Sequence, residues 1–316
     1  MLVARTEGLE PRASEAVERV TFGWWNSSLS PVGKDRSDDE HRVISAGIVS
    51  LLIDAMKVDC LGLAEVTSND LVRLTRACAT QSLSIFDGTL KSGRLQFDTG
   101  VIYNSERLTL VDYKSIVSSH GDRNLKIANR LDFTVNSDEM PLHVFVCHWP
   151  SRASREETIL TRRTVAWRLK EQIEELSELA PGAPMIVMGD FNDEPFDQSL
   201  AWNLLATRDR SLAMSKTGYL YNPFWRHLGE SQPHSHVAVK RGPAGSCFYK
   251  GDATTQWRTF DQMLFSRAFI GGSEWHLKEE ETSIVEIDPL VELVQSKLFF
   301  DHLPITSVLE KGRGTN

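Results

Sequence analysis

The pattern of apolar and polar positions predicts strands and helices that alternate along the chain. RVTFGWWN is an apolar run that predicts a strand ending at Asn26. The segment SDDEHRVISAGIVSLLIDAMK follows, and Ser37 and Glu40 have the spacing of a capping box at its start. Its apolar pairs recur every four residues, at Val43/Ile44, Gly47/Ile48, Leu51/Leu52 and Ala55/Met56. This spacing predicts a helix with one apolar face, packed on a sheet.

Short apolar runs predict further strands, several of which lead into a polar residue. VDCLGLAEV is long enough for a buried strand and too short for a helix, and Glu65 stands near its carboxyl end. The middle of the chain adds four strand-like runs: DTGVIYN, TLVDYKSIV, LDFTVN and LHVFVCHW. The last of these carries His148 near its end. Polar side chains at strand ends therefore recur in this half of the chain.

A helical pattern and more strands follow. From Arg155 to about Leu179 one face is apolar, at Ile159, Ala166, Leu169, Ile173 and Leu176. The buried strand in APMIVMGDFNDEPFDQS then leads into three carboxylates and a carboxamide, at Asp190, Asn192, Asp193 and Glu194. SCFYK, FDQMLFS and DHLPITSVL also read as strands, with Asp261 inside the second and Asp301 and His302 opening the third. Strands and helices that alternate, with β-rich stretches between them, predict an α/β sandwich.

The composition of the chain indicates its domain organisation and its cellular compartment. The chain has 316 residues, of which 41% are hydrophobic, enough for a sizeable core. No repeat or linker divides it, so we predict an N-terminal extension, residues 1–19, and a single domain over residues 20–312. The amino end lacks the apolar block of a secretory signal, and no stretch reaches the ~20 apolar residues of a membrane span. These features predict a cytoplasmic protein.

Cysteine spacing and charge narrow the chemistry further. Cys60, Cys78, Cys147 and Cys247 form no CxxC pair, so reduced, buried thiols are expected rather than a disulfide framework or a zinc site. The net charge of -8 argues against a surface coated in basic residues. It leaves room for a local basic groove, because net charge does not fix where the field points.

Eight polar residues stand at or near the ends of predicted strands: Asn26, Glu65, His148, Asp190, Asn192, Asp261, Asp301 and His302. Each alone is explained as a turn former, a cap or a satisfied core group. Together they favour a metal or phosphate site, because sheet-based enzymes place their chemistry at the carboxyl ends of strands.

Seven segments in order make the chain resemble the endonuclease/exonuclease/phosphatase superfamily, the fold of pancreatic deoxyribonuclease. They are GWWN, GLAEV, DTGVIYN, CHWPSR, MGDFND, FDQMLFS and DHLPI, and they run from about residue 20 to 310. The resemblance implies a four-layer α/β sandwich, in which two mostly antiparallel sheets face each other with helices outside.

The resemblance also implies a metal site and a residue that handles water. Glu65 would bind a divalent cation with Asn26 and Asp301 nearby, and an all-oxygen set suits Mg²⁺ or Mn²⁺. Asp190 would orient or deprotonate the attacking water. Asn192 would donate a hydrogen bond to a phosphoryl oxygen as charge builds on it.

Two histidines are implied to work beside these groups. His302 would contact the scissile phosphate, while Asp261 would fix its tautomer and favour its protonated form. His148 matches a position that is histidine in the deoxyribonuclease and phosphatase branches and tyrosine in the abasic-site enzymes. The resemblance therefore disfavours abasic-site repair.

Further residues are candidates for substrate contact. Arg152 follows His148 closely and could hold a phosphate. Three helical arginines, Arg155, Arg162 and Arg163, either extend a basic track or form a solvated face balanced by neighbouring glutamates. Trp257 could stack on a base or could belong to the core.

The predicted function is divalent-metal-dependent phosphoester hydrolysis, with nucleic acid as the preferred substrate. One alternative is a phosphatase or phosphodiesterase acting on a phosphorylated small molecule, an inositol phosphate or a lipid headgroup, because the same catalytic set serves all these substrates. A catalytically idle binding module is the other. No apolar hairpin or basic amphipathic helix indicates a lipid surface, and no protein partner can be inferred.

Overall fold

A computed structural model of the chain describes residues 17–31, 34–35, 37–89, 91–92, 95–120, 123–152, 155–234, 236 and 242–312. Most of the predicted N-terminal extension, residues 1–16, lies outside the described residues. The helices are α1 (Asp39–Ser50), α2 (Ser68–Arg76), α3 (Arg155–Leu179), α4 (Arg210–Ser215) and α5 (Asp288–Ser296). Two π-helical turns occupy Leu51–Ala55 and Ser199–Asn203.

The strands run through the whole described chain. They are β1 (Arg19–Asn26), β2 (Cys60–Ala64), β3 (Leu83–Asp87), β4 (Lys91–Ser92), β5 (Leu95–Gln96), β6 (Thr99–Asn104), β7 (Leu108–His120), β8 (Arg123–Val135), β9 (Met140–His148), β10 (Met185–Asp190), β11 (Ala206–Thr207), β12 (Leu220–Tyr221), β13 (Cys247–Phe248), β14 (Trp257–Arg258), β15 (Asp261–Phe265), β16 (Trp275–Leu277), β17 (Ser283–Ile284) and β18 (Ile305–Lys311).

Within the described residues, most strands form two seven-stranded sheets. The first has the order β16-β18-β1-β2-β6-β3, with β17 also paired to β18. The second has the order β11-β12-β15-β10-β9-β8-β7. The β1/β2, β9/β10 and β11/β12 pairs are parallel, and the other neighbours in these sheets are antiparallel. The predicted fold class, two mostly antiparallel sheets in an α/β sandwich, is confirmed.

The alternation of side chains along the central strands produces the layers. In β9, Val144 and Val146 belong to the core between the sheets, whereas Phe145 and Cys147 belong to a second cluster under α3. This is the period of two that a strand buried on both faces requires. The sheets approach closely at Gly62, where an added Cβ would lie 2.8 Å from the Trp24 ring and 2.9 Å from Met188.

The other face of the first sheet carries α1 and α2. An added Cβ at Gly100 in β6 would lie only 2.4 Å from Leu71 of α2, so this helix rests directly on the strand. Leu52, in the turn that continues α1, is fully buried as well. The order helix, sheet, sheet, helix is the predicted four-layer sandwich.

Two helical details differ from prediction. Asp38 rather than Ser37 caps α1, because its carboxylate accepts the His41 N–H at 2.8 Å while the Ser37 hydroxyl donates to Asp35. The apolar stripe is also narrower than predicted, since Val43 is 71% exposed. Ile159 of α3 is likewise exposed, whereas the other four predicted positions of that face are buried.

The strand boundaries near the carboxyl end also differ. Asp261 opens β15 instead of lying inside it, and β18 begins at Ile305 rather than at Asp301. Pro304 has no N–H to give to a ladder, so the segment before it cannot continue the strand. The residues from Asp301 to Pro304 instead form a loop, attached to β13 by a single bridge between His302 and Cys247.

The cysteines are free thiols, as predicted, and three of the four are buried, while Cys78 is half-buried. Among the described helices, none has the length and apolar character needed to cross a membrane.

Candidate active site

An open cleft of about 880 Å³ lies where the polar strand ends of the two sheets meet. Pairing in the second sheet sets Asp190 directly beside both His148 and Asp261. In the first sheet, Asn26 is opposite Ala64, which brings it next to Glu65. Seven predicted residues line the cleft: Asn26, Glu65, His148, Asp190, Asn192, Asp301 and His302. The eighth, Asp261, lies behind His302.

Asp261 holds the His302 ring. Its Oδ2 lies 2.7 Å from His302 Nδ1 and also accepts the Ser246 hydroxyl at 2.7 Å, while its Oδ1 accepts Trp24 Nε1–H at 2.8 Å. The carboxylate is fully buried and its position is fixed from several directions. Nε2 of His302 therefore faces the cleft, 3.7 Å from Asp190 Oδ2 and 3.6 Å from Asp301 Oδ1.

Asp190 is buried at the centre of the site. Its Oδ1 accepts the Asn192 N–H at 2.9 Å, and its Oδ2 accepts Asn26 Nδ2–H at 3.1 Å. Asn192 has φ 51°, a left-handed conformation that asparagine tolerates better than most residues. Its side-chain amide donates to the Trp149 carbonyl at 3.1 Å. Since the amide has two protons, one is left for a ligand.

His148 is held by a group that sequence reasoning missed. Its Nδ1 lies 3.1 Å from Asp98 Oδ2, and Lys126 donates to the other oxygen of Asp98 at 2.7 Å. Its Nε2 is 4.0 Å from both Glu65 Oε1 and Asp190 Oδ2. The available signal was an acid just ahead of the predicted strand in DTGVIYN.

Glu65 is the strongest candidate for a metal ligand. Its side chain is 21% exposed, and no described residue donates a hydrogen bond to its carboxylate. Its backbone has φ 55°, a left-handed conformation that costs of order ~1–3 kcal/mol for a residue other than glycine. A half-buried carboxylate without a donor, beside further carboxylate and amide oxygens, fits a hard divalent cation. The buried cluster of Asp190, Asp261 and His302 adds to the metal-binding character of the site.

Burial and neighbouring charges shift the pKa values of both histidines and of Glu65. Burial alone would lower the pKa of His302, but Asp261 and Asp190 hold it well above its ordinary value. Burial also disfavours protonation of His148, yet Asp98 raises its pKa. Burial raises the pKa of Glu65 despite both histidines. The cleft therefore places protonated imidazoles against carboxylates, a surrounding suited to an anionic ligand with a cation.

Arg152 reaches the cleft, but its guanidinium already has partners. Its Nε donates to the Asn192 carbonyl at 2.8 Å, and its terminal nitrogen bonds both Asp193 and Asp197. The guanidinium also stacks on the Phe260 ring, 4.8 Å from its centroid. These contacts tie Arg152 to the loop that carries Asn192.

The other described candidates for substrate contact do not line the cleft. Arg162 is buried and pairs with Asp193 at 2.9 Å, so it belongs neither to a basic track nor to a solvated face. The side chain of Arg155 lies outside the described residues. Trp257 packs on Phe248 with ring centroids 5.0 Å apart and does not line the cleft. The aromatic rings that do are those of Tyr249, Phe260, Phe299 and Phe300.

Comparison with known proteins agrees with this geometry. The chain matches the model of the Endonuclease/Exonuclease/phosphatase family over residues 36–293. The protein therefore belongs to this family, whose fold the two packed sheets reproduce. No curated protein matches the chain.

Several solved structures share the fold at low sequence identity. An endonuclease/exonuclease/phosphatase family protein from Bacteroides thetaiotaomicron is 14% identical, with TM-score 0.60 over 94% of this chain and 97% of that one. TDP2 of D. rerio, complexed with single strand DNA product, is 14% identical, with TM-score 0.57 over 92% and 98%. A mannosyl-6-phosphatase of Bacteroides thetaiotaomicron is also 14% identical, with TM-score 0.57 over 92% and 99%. At this identity the similarity shows a shared fold and does not identify the substrate of this protein.

Proposed function

We propose that the protein is a divalent-metal-dependent phosphoester hydrolase that cleaves nucleic-acid phosphodiester bonds in this cleft. The observation that carries the proposal is the convergence of Asp190, Asn192 and His302 on one open space with the carboxylate of Glu65, to which no described residue donates a hydrogen bond. Family membership supports phosphoester hydrolysis as the reaction class. Each step below follows from the contacts of these side chains.

Asp190 is assigned to the attacking water. The N–H groups of Asn192 and Asn26 hold its two oxygens, so the carboxylate keeps one orientation while it aligns the water and accepts its proton. The remaining amide proton of Asn192 is available to a phosphoryl oxygen. A donor fixed before the reaction stabilises charge that builds on that oxygen without reorganising.

The histidines are assigned to the anionic phosphate. His302, protonated through its pairing with Asp261, donates from Nε2 to a phosphoryl oxygen. His148 is oriented in the same way by Asp98 and presents its Nε2 from the opposite side. Arg152 then acts mainly by fixing the Asn192 loop.

Glu65 is assigned to the metal, with Asn26 and Asp301 beside it. A divalent ion such as Mg²⁺ or Mn²⁺ would act as a Lewis acid on the phosphoryl group. The chain's own part is to supply oxygen ligands and to keep Glu65 free of competing hydrogen bonds.

The cleft walls favour a polyanionic, base-bearing substrate. Tyr249 is 56% exposed at the cleft, and an exposed aromatic ring can stack on any base. Of the cations lining the cleft in the described chain, Arg152 and Arg258 donate to carboxylates within hydrogen-bond distance. Lys297 Nζ is 4.0 Å from Asp301 and 4.3 Å from the Tyr249 ring centroid. Lys297 is therefore the cation most available to a neighbouring phosphate.

A substrate panel tests the proposal. Purified protein with Mg²⁺ or Mn²⁺ is incubated with single-stranded DNA, duplex DNA, RNA, sugar phosphates and inositol phosphates, and products are quantified. The Asp190→Asn protein, prepared identically, controls for contaminating nucleases. We expect cleavage of nucleic acid by wild type only. Release of phosphate from the small molecules, with nucleic acid left intact, would instead support a phosphatase.

Lys297→Met provides a sharper prediction about the substrate. Losing one phosphate contact should raise KM for oligonucleotides several-fold and leave kcat nearly unchanged. The slope of log affinity against log salt should fall by roughly 0.7–0.9, the share of one phosphate contact. Lys297→Arg, which keeps the charge, is the matched control. An unchanged KM and salt slope in Lys297→Met would remove this residue from the substrate site.

A further inference from the structure

Cys247 faces the cleft next to His302. The two residues form an antiparallel bridge, flanked by the bonds Phe248 N–H to Asp301 O at 2.8 Å and Leu303 N–H to Ser246 O at 2.6 Å. Residues directly opposite in an antiparallel pair project to the same side. The thiol and the imidazole therefore lie side by side, and both line the cleft.

Together with Asp301 these side chains form a mixed ligand set. One ligand atom each from Cys247, Asp301 and His302 lies within 4.8 Å of the others. His302 Nε2 and Asp301 Oδ1 are 3.6 Å apart. Ligands about 2.1 Å from a tetrahedral ion would be about 3.4 Å apart, so this edge needs little adjustment.

The imidazole is already oriented as a metal ligand would be. Asp261 holds Nδ1, and this leaves Nε2 facing the cleft, 3.6 Å from Asp301 Oδ1. Histidines that bind zinc are typically fixed by such a second hydrogen bond. Sulfur, nitrogen and oxygen ligands with a fourth position open to solvent suit Zn²⁺, whereas Mg²⁺ prefers oxygen alone.

We propose that Cys247, Asp301 and His302 form a Zn²⁺ site, and that Zn²⁺ bound there inhibits hydrolysis. On binding, the Cys247 thiol and the His302 imidazolium each release one proton to the buffer, and bonds form from Zn²⁺ to the Cys247 thiolate and to His302 Nε2. The ion would occupy His302 Nε2 and Asp301, so His302 could not donate to the phosphate and Asp301 could not support the catalytic metal. The inhibition rests on the proposed function, whereas the binding does not.

Binding is tested with Co²⁺, which takes zinc sites and gives a thiolate-to-metal charge-transfer absorption when sulfur is a ligand. Wild type should develop this absorption to one equivalent of Co²⁺, and Zn²⁺ should remove it. Cys247→Ser should not develop it. Cys78→Ser is the matched control, because it removes a half-buried thiol outside the cleft. Charge-transfer absorption that persists in Cys247→Ser, or never forms in wild type, would overturn the site.

Inhibition is measured by titrating Zn²⁺ at constant Mg²⁺ and following substrate cleavage. Loss of a hydrogen bond behind a ligand already weakens metal binding ~10–100-fold, so loss of the sulfur ligand should raise the inhibition constant at least ~10-fold. Cys247→Ala should behave as Cys247→Ser does, and melting curves without metal report whether each variant is folded. Equal inhibition of all folded variants would contradict the proposal. Co²⁺ absorption in a wild type that cleaves no substrate would leave the zinc site standing and reject the proposed function.

Discussion

Asp190→Asn is expected to lower kcat for phosphodiester cleavage by at least ~10²-fold, the lower range for general acid–base catalysis. The amide keeps the shape of the carboxylate but cannot take a proton from water. Because burial already disfavours the charge of Asp190, a neutral side chain should cost little stability. We expect a melting temperature within about 2 °C of wild type, the shift that roughly 1 kcal/mol produces in a chain of this size.

Single-turnover rates and thermal melting check this prediction together. Asp252→Asn is the matched control, because Asp252 also lines the cleft but is bonded to Arg258 on its wall. That variant should retain most of the turnover. A folded Asp190→Asn protein with turnover near wild type would remove Asp190 from the reaction.

His302→Ala is expected to cost about 10²–10³-fold in kcat, the loss typical of removing one donor to a developing oxyanion. Asp261 contacts the cleft only through His302, so the two residues should act as one unit. Asp261→Asn keeps the side chain's volume and an acceptor for Trp24 Nε1–H while removing the charge that holds the imidazolium. The double variant should therefore be little worse than His302→Ala alone.

A double-mutant cycle on kcat measures this coupling, with melting curves recorded for all four proteins. Losses that multiply would show that Asp261 and His302 act separately. A large loss in Asp261→Asn accompanied by unfolding would be structural, and the cycle would then be repeated below the melting temperature of the weakest variant.

The strand ends were the most predictable part of the site. Asn26, Glu65 and Asp190 follow apolar runs whose length alone indicates buried strands, and the carboxyl ends of strands are where such sheets bind ligands. The facing of the two sheets follows from the same alternation, since Gly62 of the first sheet leaves room for Met188 of the second at the interface. These features could be predicted because they depend on the local pattern of apolar and polar residues.

The supporting contacts depend on register and loop geometry, which local pattern does not contain. Asp98 directly precedes β6 in the first sheet and contacts His148 at the end of β9 in the second, so the contact depends on how the two sheets face each other. Lys126 of β8 comes to the same point. Arg152 was predicted to be a phosphate ligand, and its bonds to Asp193 and Asp197 depend on the left-handed turn at Asn192. Cys247 lies beside His302 because a single bridge joins two segments that are distant in sequence.

The central claim is that a divalent ion bound through Glu65 is required for hydrolysis in this cleft. The most direct test titrates Mg²⁺ into chelator-treated wild type and Glu65→Gln while cleavage and thermal melting are followed. Chelation should stop cleavage and leave the protein folded, because an all-oxygen site binds Mg²⁺ loosely. Mg²⁺ should restore cleavage, and Glu65→Gln should require a clearly higher concentration for half-maximal rate. Full cleavage in excess chelator, or identical Mg²⁺ curves for the two proteins, would contradict the claim.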